Sequence, residues 1–156
     1  MRITLSTPVA GHHAGIMARF DRELFEQLSP PGAKVDLIRF DGSETGDLVH
    51  IRLHLPLMPA QNWISKIVDH GSDDNTSWFV DEGKTLPWFL SAWQHRHVVK
   101  QEGDHSLIID DIRFTAPLWL PDFLLYPVLW AQFAWRRPVY RRVFGVALPS
   151  SNISGT

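Results

Sequence analysis

The chain has 156 residues, 17 acidic against 15 basic, a formal net charge of −2 and no cysteine. That length suits one domain with a sizeable core, and the charge gives no general attraction to nucleic acid. The lack of thiols excludes a disulfide framework, a thiolate metal site and a cysteine nucleophile.

Met1-Arg2-Ile3-Thr4-Leu5-Ser6 lacks a basic segment followed by a long apolar run, so no secretory signal is read and a cytoplasmic location is expected. Arg2 to Pro8 reads as a short strand, and Gly11-His12-His13-Ala14-Gly15 as a loop with solvated histidines. From Ile16 to Leu28 the apolar residues Ile16, Phe20, Leu24 and Leu28 recur every four positions, which predicts one helix stopped by Ser29-Pro30-Pro31-Gly32. Lys34 to Asp41 and Asp47 to Leu55 follow as strands about the turn Gly42 to Gly46. Asn62 to Asp69 and Thr76 to Asp81 form a second hairpin, in which Asp73 and Asp74 serve the turn and lack the spacing of a calcium loop. Glu82 to Trp88 reads as a loop.

Trp93-Gln94-His95-Arg96-His97 is the centre of the next strand. Alternation puts Trp93, His95, His97 and Val99 on one face. Glu102-Gly103-Asp104-His105 has the chemistry of a tight turn, leading into a strand from Ser106 to Thr115. A turn centred on Gly103 and Asp104 places His97 opposite Asp110, His95 opposite Ile112, Trp93 opposite Phe114 and Val99 opposite Ile108. Two histidines and an aspartate then look into an apolar interior, where unpaired polar groups are costly, so they need partners, water or a ligand.

Leu118 to Trp135 is long and apolar, but Asp122, Gln132, Pro121 and Pro127 count against a membrane span and favour a buried helix. The predicted helix runs from about Pro121 to Phe144, bends at Pro127 and Pro138, and ends in Arg136, Arg137, Arg141 and Arg142. Positive charge there suits the helix terminus and leaves a weak peripheral contact with an anionic membrane through Arg136 to Arg142 as a second use. Residues 146–156 are expected to form a disordered tail.

The order of elements resembles the helix-grip arrangement of the START and polyketide-cyclase (SRPBCC) superfamily, closest to a bacterial ligand-binding branch. The stretches that carry it are Leu28-Ser29-Pro30-Pro31, then Phe79-Val80-Asp81 with the loop to Trp93-Gln94-His95-Arg96-His97, and Asp110 to Pro117 with the distal Tyr140-Arg141. Leu86-Pro87-Trp88 stands where that branch typically has Gly-Pro-Phe. The resemblance implies an α+β domain over 1–145, a curved antiparallel sheet wrapped around a long C-terminal helix, with a cavity between them for an apolar or amphipathic small molecule such as a lipid, isoprenoid or polyketide. The expected aromatic lining is Trp88, Trp93, Phe114, Phe123, Trp130 and Phe133, joined by Ile108 and Ile112 and by the polar groups His95, His97 and Asp110.

Non-catalytic binding is the first reading. The alternative is a cyclase- or hydrolase-like enzyme in which Asp110 orients His97 as a base and His95 polarises a substrate oxygen. The bland reading is a buried His–Asp bond that fixes strand register. A facial metal set of His95, His97 and Asp110 is sterically allowed, but a His-x-His pair alone is weak evidence, and no metal or cofactor is expected. The partner is then a small molecule, with no nucleic acid, and the protein a monomer or homodimer.

Overall fold

In a computed structural model that describes residues 1–29 and 34–147, seven strands make one antiparallel sheet. They are β1 (Arg2–Ala10), β2 (Lys34–Phe40), β3 (Leu48–His54), β4 (Gln61–Ser72), β5 (Thr76–Thr85), β6 (Ala92–Glu102) and β7 (His105–Thr115). Strands β2 to β7 pair consecutively, and β1 joins on the far side of β7, giving the order β1-β7-β6-β5-β4-β3-β2. The β6–β7 turn has Gly103 at φ +63°, a left-handed conformation that glycine adopts without a Cβ penalty. It sets the register read from the sequence: Trp93 faces Phe114, His95 faces Ile112, His97 faces Asp110 and Val99 faces Ile108. Burial alternates along both strands.

The β4–β5 hairpin is longer than its composition suggests. Glu82 to Thr85, read as loop, continue β5 and pair with β4 across a register shift between Ile64 and Ser65. Gly83 lies opposite Ser65, and the Leu86 side chain occupies the space a Cβ would need.

The expected single N-terminal helix is two: α1 (His13–Met17) and α2 (Arg22–Gln27). Asp21 breaks it by taking an extended conformation and accepting the backbone N–H of Leu24 at 2.9 Å. An aspartate bonds its own chain better at a helix start than inside one. His13 corrects a second expectation: it is buried, its Nδ1 2.9 Å from Ser77 Oγ and its Nε2 3.2 Å from the Asp74 carbonyl oxygen. His12 remains exposed and caps α1 by accepting from Ala14 N.

The C-terminal helix is divided at Trp135 into α3 (Asp122–Ala134) and α4 (Arg136–Phe144). Pro138, with no N–H for the Ala134 carbonyl, thereby sits in the first turn of α4, where the missing donor costs nothing. Pro127 lies inside α3. The expectation of a buried helix is corrected for α3, which rests on the protein by one stripe, Leu129 and Phe133, and exposes Phe123, Leu124, Val128 and Trp130. Among the described residues no helix is long and apolar enough to cross a membrane. The basic run is also divided. Arg136 is buried and Arg137 donates to the Ser6 carbonyl oxygen at 2.9 Å, while Arg141 and Arg142 are exposed. Val146, expected in the tail, bridges Val9; residues 148–156, like Pro30, Pro31 and Gly32, lie outside the described residues.

Two apolar clusters fill the concave side. One gathers Val9, Ile16, Phe20, Leu24, Ile67, Phe79, Val99, Ile108, Val139 and Tyr140 beneath α1, α2 and α4. The other gathers Ile3, Leu5, Leu90, Trp93, Ile112, Phe114, Leu129 and Phe133 beneath α3.

Two outcomes follow from this packing. Phe114→Ala, at a side chain 2% exposed, is expected to lower the free energy of unfolding by roughly 3–5 kcal/mol, while Phe123→Ala, at 63% exposure, changes it by less than about 0.5 kcal/mol in urea titrations. His13→Ala, which leaves the Asp74 carbonyl without the ring and the Ser77 hydroxyl with Ser72 alone, is expected to cost about 1–3 kcal/mol in the same assay, against almost nothing for the solvated histidine the sequence suggests.

Candidate functional site

Between the two apolar clusters runs a row of buried polar side chains. Along β6 the inward residues are Trp93, His95, His97 and Val99, so the polar pair is flanked by one residue from each cluster. On β7 Asp110 stands between Ile112 and Ile108 in the same way. Asp81 extends the row onto β5, directly across from His95, and Ser65 extends it onto β4. The helix layer completes it. Phe133, Arg136 and Tyr140, spaced three and four apart, share one helical stripe, which carries Arg136 and the Tyr140 hydroxyl down onto the strands.

The contacts are specific. Asp110 Oδ1 lies 2.9 Å from His95 Nε2, accepts from the Tyr140 hydroxyl at 3.3 Å and lies 3.8 Å from Arg136 Nη1. Asp81 Oδ1 accepts from the Trp93 indole N–H at 3.1 Å, and Oδ2 lies 3.4 Å from His97 Nε2 and 3.8 Å from His95 Nδ1. The two imidazole rings are 3.6 Å apart between centroids, and Phe79 stacks on His97 at 4.1 Å. Among the described residues His97 Nδ1 has no hydrogen-bond partner, Asp110 Oδ1 standing 3.7 Å away. The register sets His97 against Asp110, but the hydrogen bond to Asp110 comes from His95, and His97 leans toward Asp81.

Burial tends to raise both carboxyl groups, but their neighbours outweigh it. Asp81 is held below the usual carboxylate range by His97, His95 and Ser65, and Asp110 by His95, Arg136 and His97. Burial also pushes His97 down to about 4, helped by His95 and only partly offset by Asp81 and Asp110. Burial, and the nearby Asp110 charge, push the Tyr140 phenol up.

Beside this row is a cavity of about 100 Å³. Its apolar walls include Phe20, Leu24, Phe25 and Leu28 from the segment around α2, Phe40, Val49 and Ile51 from β2 and β3, and Trp63, Ile67 and Phe79 from β4 and β5. Asp81, His95, His97 and Arg136 give it one polar side, flanked by Trp93 and Phe133. Of the residues expected to line a cavity, Trp93, His95, His97 and Phe133 do so. Asp110 lies buried behind them, bonded to His95. Ile108, Ile112 and Phe114 are packed in the two cores, and Phe123 and Trp130 face outward. Trp88 is half-exposed and stacks on Trp119 at 5.3 Å.

The sequence reading lacks Asp81, Arg136, Tyr140 and the α2 wall. Arg136 and Tyr140 carried a usable signal, the helical spacing from Phe133. Asp81 carried only its place on the inward face of a strand.

No protein-family model and no curated protein matches the sequence significantly. Solved structures do match. A truncated norcoclaurine synthase from Thalictrum flavum superposes with TM-score 0.62 at 14% identity, covering 94% of this chain and 95% of that one. A START superfamily protein from Mycobacterium smegmatis matches with TM-score 0.61 at 13% identity, over 91% of this chain and 98% of that one. The major latex-like protein 151 of Panax ginseng gives 0.59 at 13%, over 90% and 97%. At such identities the likeness speaks for architecture, and a seven-stranded antiparallel sheet curled around C-terminal helices is the START-type helix-grip fold.

Proposed function

We propose that the protein binds an amphipathic small molecule in the cavity beside the polar row, its apolar body against Leu24, Phe25, Val49 and Ile51 and its polar end against Arg136 and the Asp81, His95 and His97 side chains. The observation that carries this reading is the two-sided cavity: apolar walls with a few convergent polar groups are the usual chemistry of a small-molecule site. The helix-grip fold supports it, since that architecture leaves room between sheet and helices. A volume of about 100 Å³ admits something the size of a single small ring. A lipid- or isoprenoid-length ligand enters only if the α2 wall moves outward. Trp63 and Trp93, packed edge to face at 4.7 Å on the cavity wall, report on occupancy. Binding is sufficient to account for the site, and no reaction is assigned to it.

Ile51→Trp, which fills the cavity from the β3 side, is expected to weaken binding of a single-ring amphiphile such as 4-nitrophenol at least about tenfold, equivalent to about 1.4 kcal/mol. Circular dichroism should show the sheet intact, and 4-nitrophenol should quench tryptophan emission in the wild type. Equal affinity in the two proteins, or no quenching, would place the probe elsewhere and remove this reading.

A further inference from the structure

We infer that Asp81, His95 and His97 form a mononuclear binding site for a first-row divalent transition metal ion, with Asp110 and Trp93 as its supporting shell. The facial set that the sequence allows uses Asp110. In the structure Asp110 bonds His95 Nε2 at 2.9 Å and stands 3.7 Å from His97 Nδ1, while Asp81 Oδ2 faces the other nitrogen of each ring. The three side chains whose ligand atoms come together are Asp81, His95 and His97. Each of the three side chains offers one ligand atom, and those atoms all lie within 4.8 Å of one another.

The separations suit an ion. With metal–ligand bonds of about 2.0–2.1 Å, tetrahedral ligand atoms stand about 3.3 Å apart. Asp81 Oδ2 is 3.4 Å from His97 Nε2 and 3.8 Å from His95 Nδ1, so small side-chain rotations close the set.

The surroundings have the arrangement that metal ligands require. A ligating histidine is normally oriented by a hydrogen bond from its other nitrogen to a carboxylate. His95 has this bond, Nε2 to Asp110 at 2.9 Å, which leaves Nδ1 turned toward Asp81. Asp110 is fixed in turn by the Tyr140 hydroxyl, and the second oxygen of Asp81 by the Trp93 indole. Phe79, stacked on His97, holds that ring in plane. His97 is 7% exposed, and its Nδ1, on the side away from Asp81, stands 3.7 Å from Asp110 Oδ1.

Two imidazoles and one carboxylate select zinc, iron(II) or cobalt(II) over calcium or magnesium, which prefer all-oxygen sites. All three ligands line the cavity, so the remaining coordination positions open into it. Three protein ligands with an open position is the pattern of a reactive or ligand-binding centre, whereas purely structural zinc sites are closed by four. The metal takes the same Asp81, His95 and His97 groups against which the organic ligand's polar end is placed, but its uptake is read without that ligand, so the two proposals can fail separately.

The test is cobalt(II) titration of the chelator-stripped, dialysed full chain, followed by visible spectroscopy and calorimetry. One equivalent per chain, the intense d–d absorption of a low-coordinate site, and a rise in melting temperature are expected. Asp81→Asn and His97→Ala should each weaken binding at least 100-fold, and Asp110→Asn about 10–100-fold as the orienting partner. Should those variants fail to fold, zinc-edge X-ray absorption of the wild-type protein reads the ligand set directly, and two imidazoles with oxygen donors are expected. No stoichiometric uptake, binding that survives Asp81→Asn and His97→Ala, or a ligand set lacking two imidazoles would overturn the assignment.

Discussion

Asp81 and Asp110 are carboxylates in the protein interior, and the concave face of the sheet is arranged around keeping them there. Moving such a group out of water costs several kcal/mol, which is offset only where charge and hydrogen bonds surround it closely. The chain supplies these from every element that passes. Strand β6 gives His95, His97 and the Trp93 indole; β4 gives Ser65; the helical layer gives the Tyr140 hydroxyl and the Arg136 guanidinium. Because His95, His97, Asp110 and Arg136 lie between residues of one apolar cluster and residues of the other, the polar row is also the seam between the two cores. A slip of one residue in β6 or β7 would turn these groups outward and bring their solvated neighbours in, so the same residues penalise the wrong register.

The seam explains the helix joint. Phe133 belongs to the cluster under α3 and Tyr140 to the cluster under α4, with Arg136 between them over Asp110. The division at Trp135 falls where the helix passes from one cluster to the other. Arg136 also lies over the Phe133 ring, its guanidinium carbon 4.2 Å from the centroid, so the cation is held by an aromatic face as well as by the carboxylate. Its burial removes it from the basic helix end in which the sequence places it.

Short-range chemistry made part of this legible. The β6–β7 register could be read because a two-residue turn leaves no slack, and the alternation then named the inward residues one by one. The seam's other members depend on longer connections. Asp81 meets His95 across strands joined through residues 86–91, a segment whose length and shape fix no pairing. His13 meets Ser77 and Asp74 across more than sixty residues. The stripe Ile16, Phe20, Leu24 and Leu28 is buried at every position, yet two short helices and the residues that follow each present it, because periodicity records which side faces the core and not whether the backbone is continuous. Register likewise names opposed Cα atoms but not which imidazole reaches a carboxylate, so His95 and not His97 takes Asp110.

A fold shared with solved structures at 13–14% identity leaves function to the site it carries. In this chain the polar groups are positioned before anything binds. Phe79 stacks on His97, Phe133 meets the edge of His95 at 5.0 Å, and both carboxylates are tied by hydrogen bonds from neighbouring strands or helices. Rigid groups lose little entropy when they engage a partner, and the apolar wall opposite can then select size without also having to orient. The division of labour follows from the two faces of one cavity: β5 and β6 hold fixed charge and nitrogen donors, while α2, β2 and β3 supply shape. On the binding reading proposed, substitutions on the second set change which molecules enter, and substitutions on the first change how they are held.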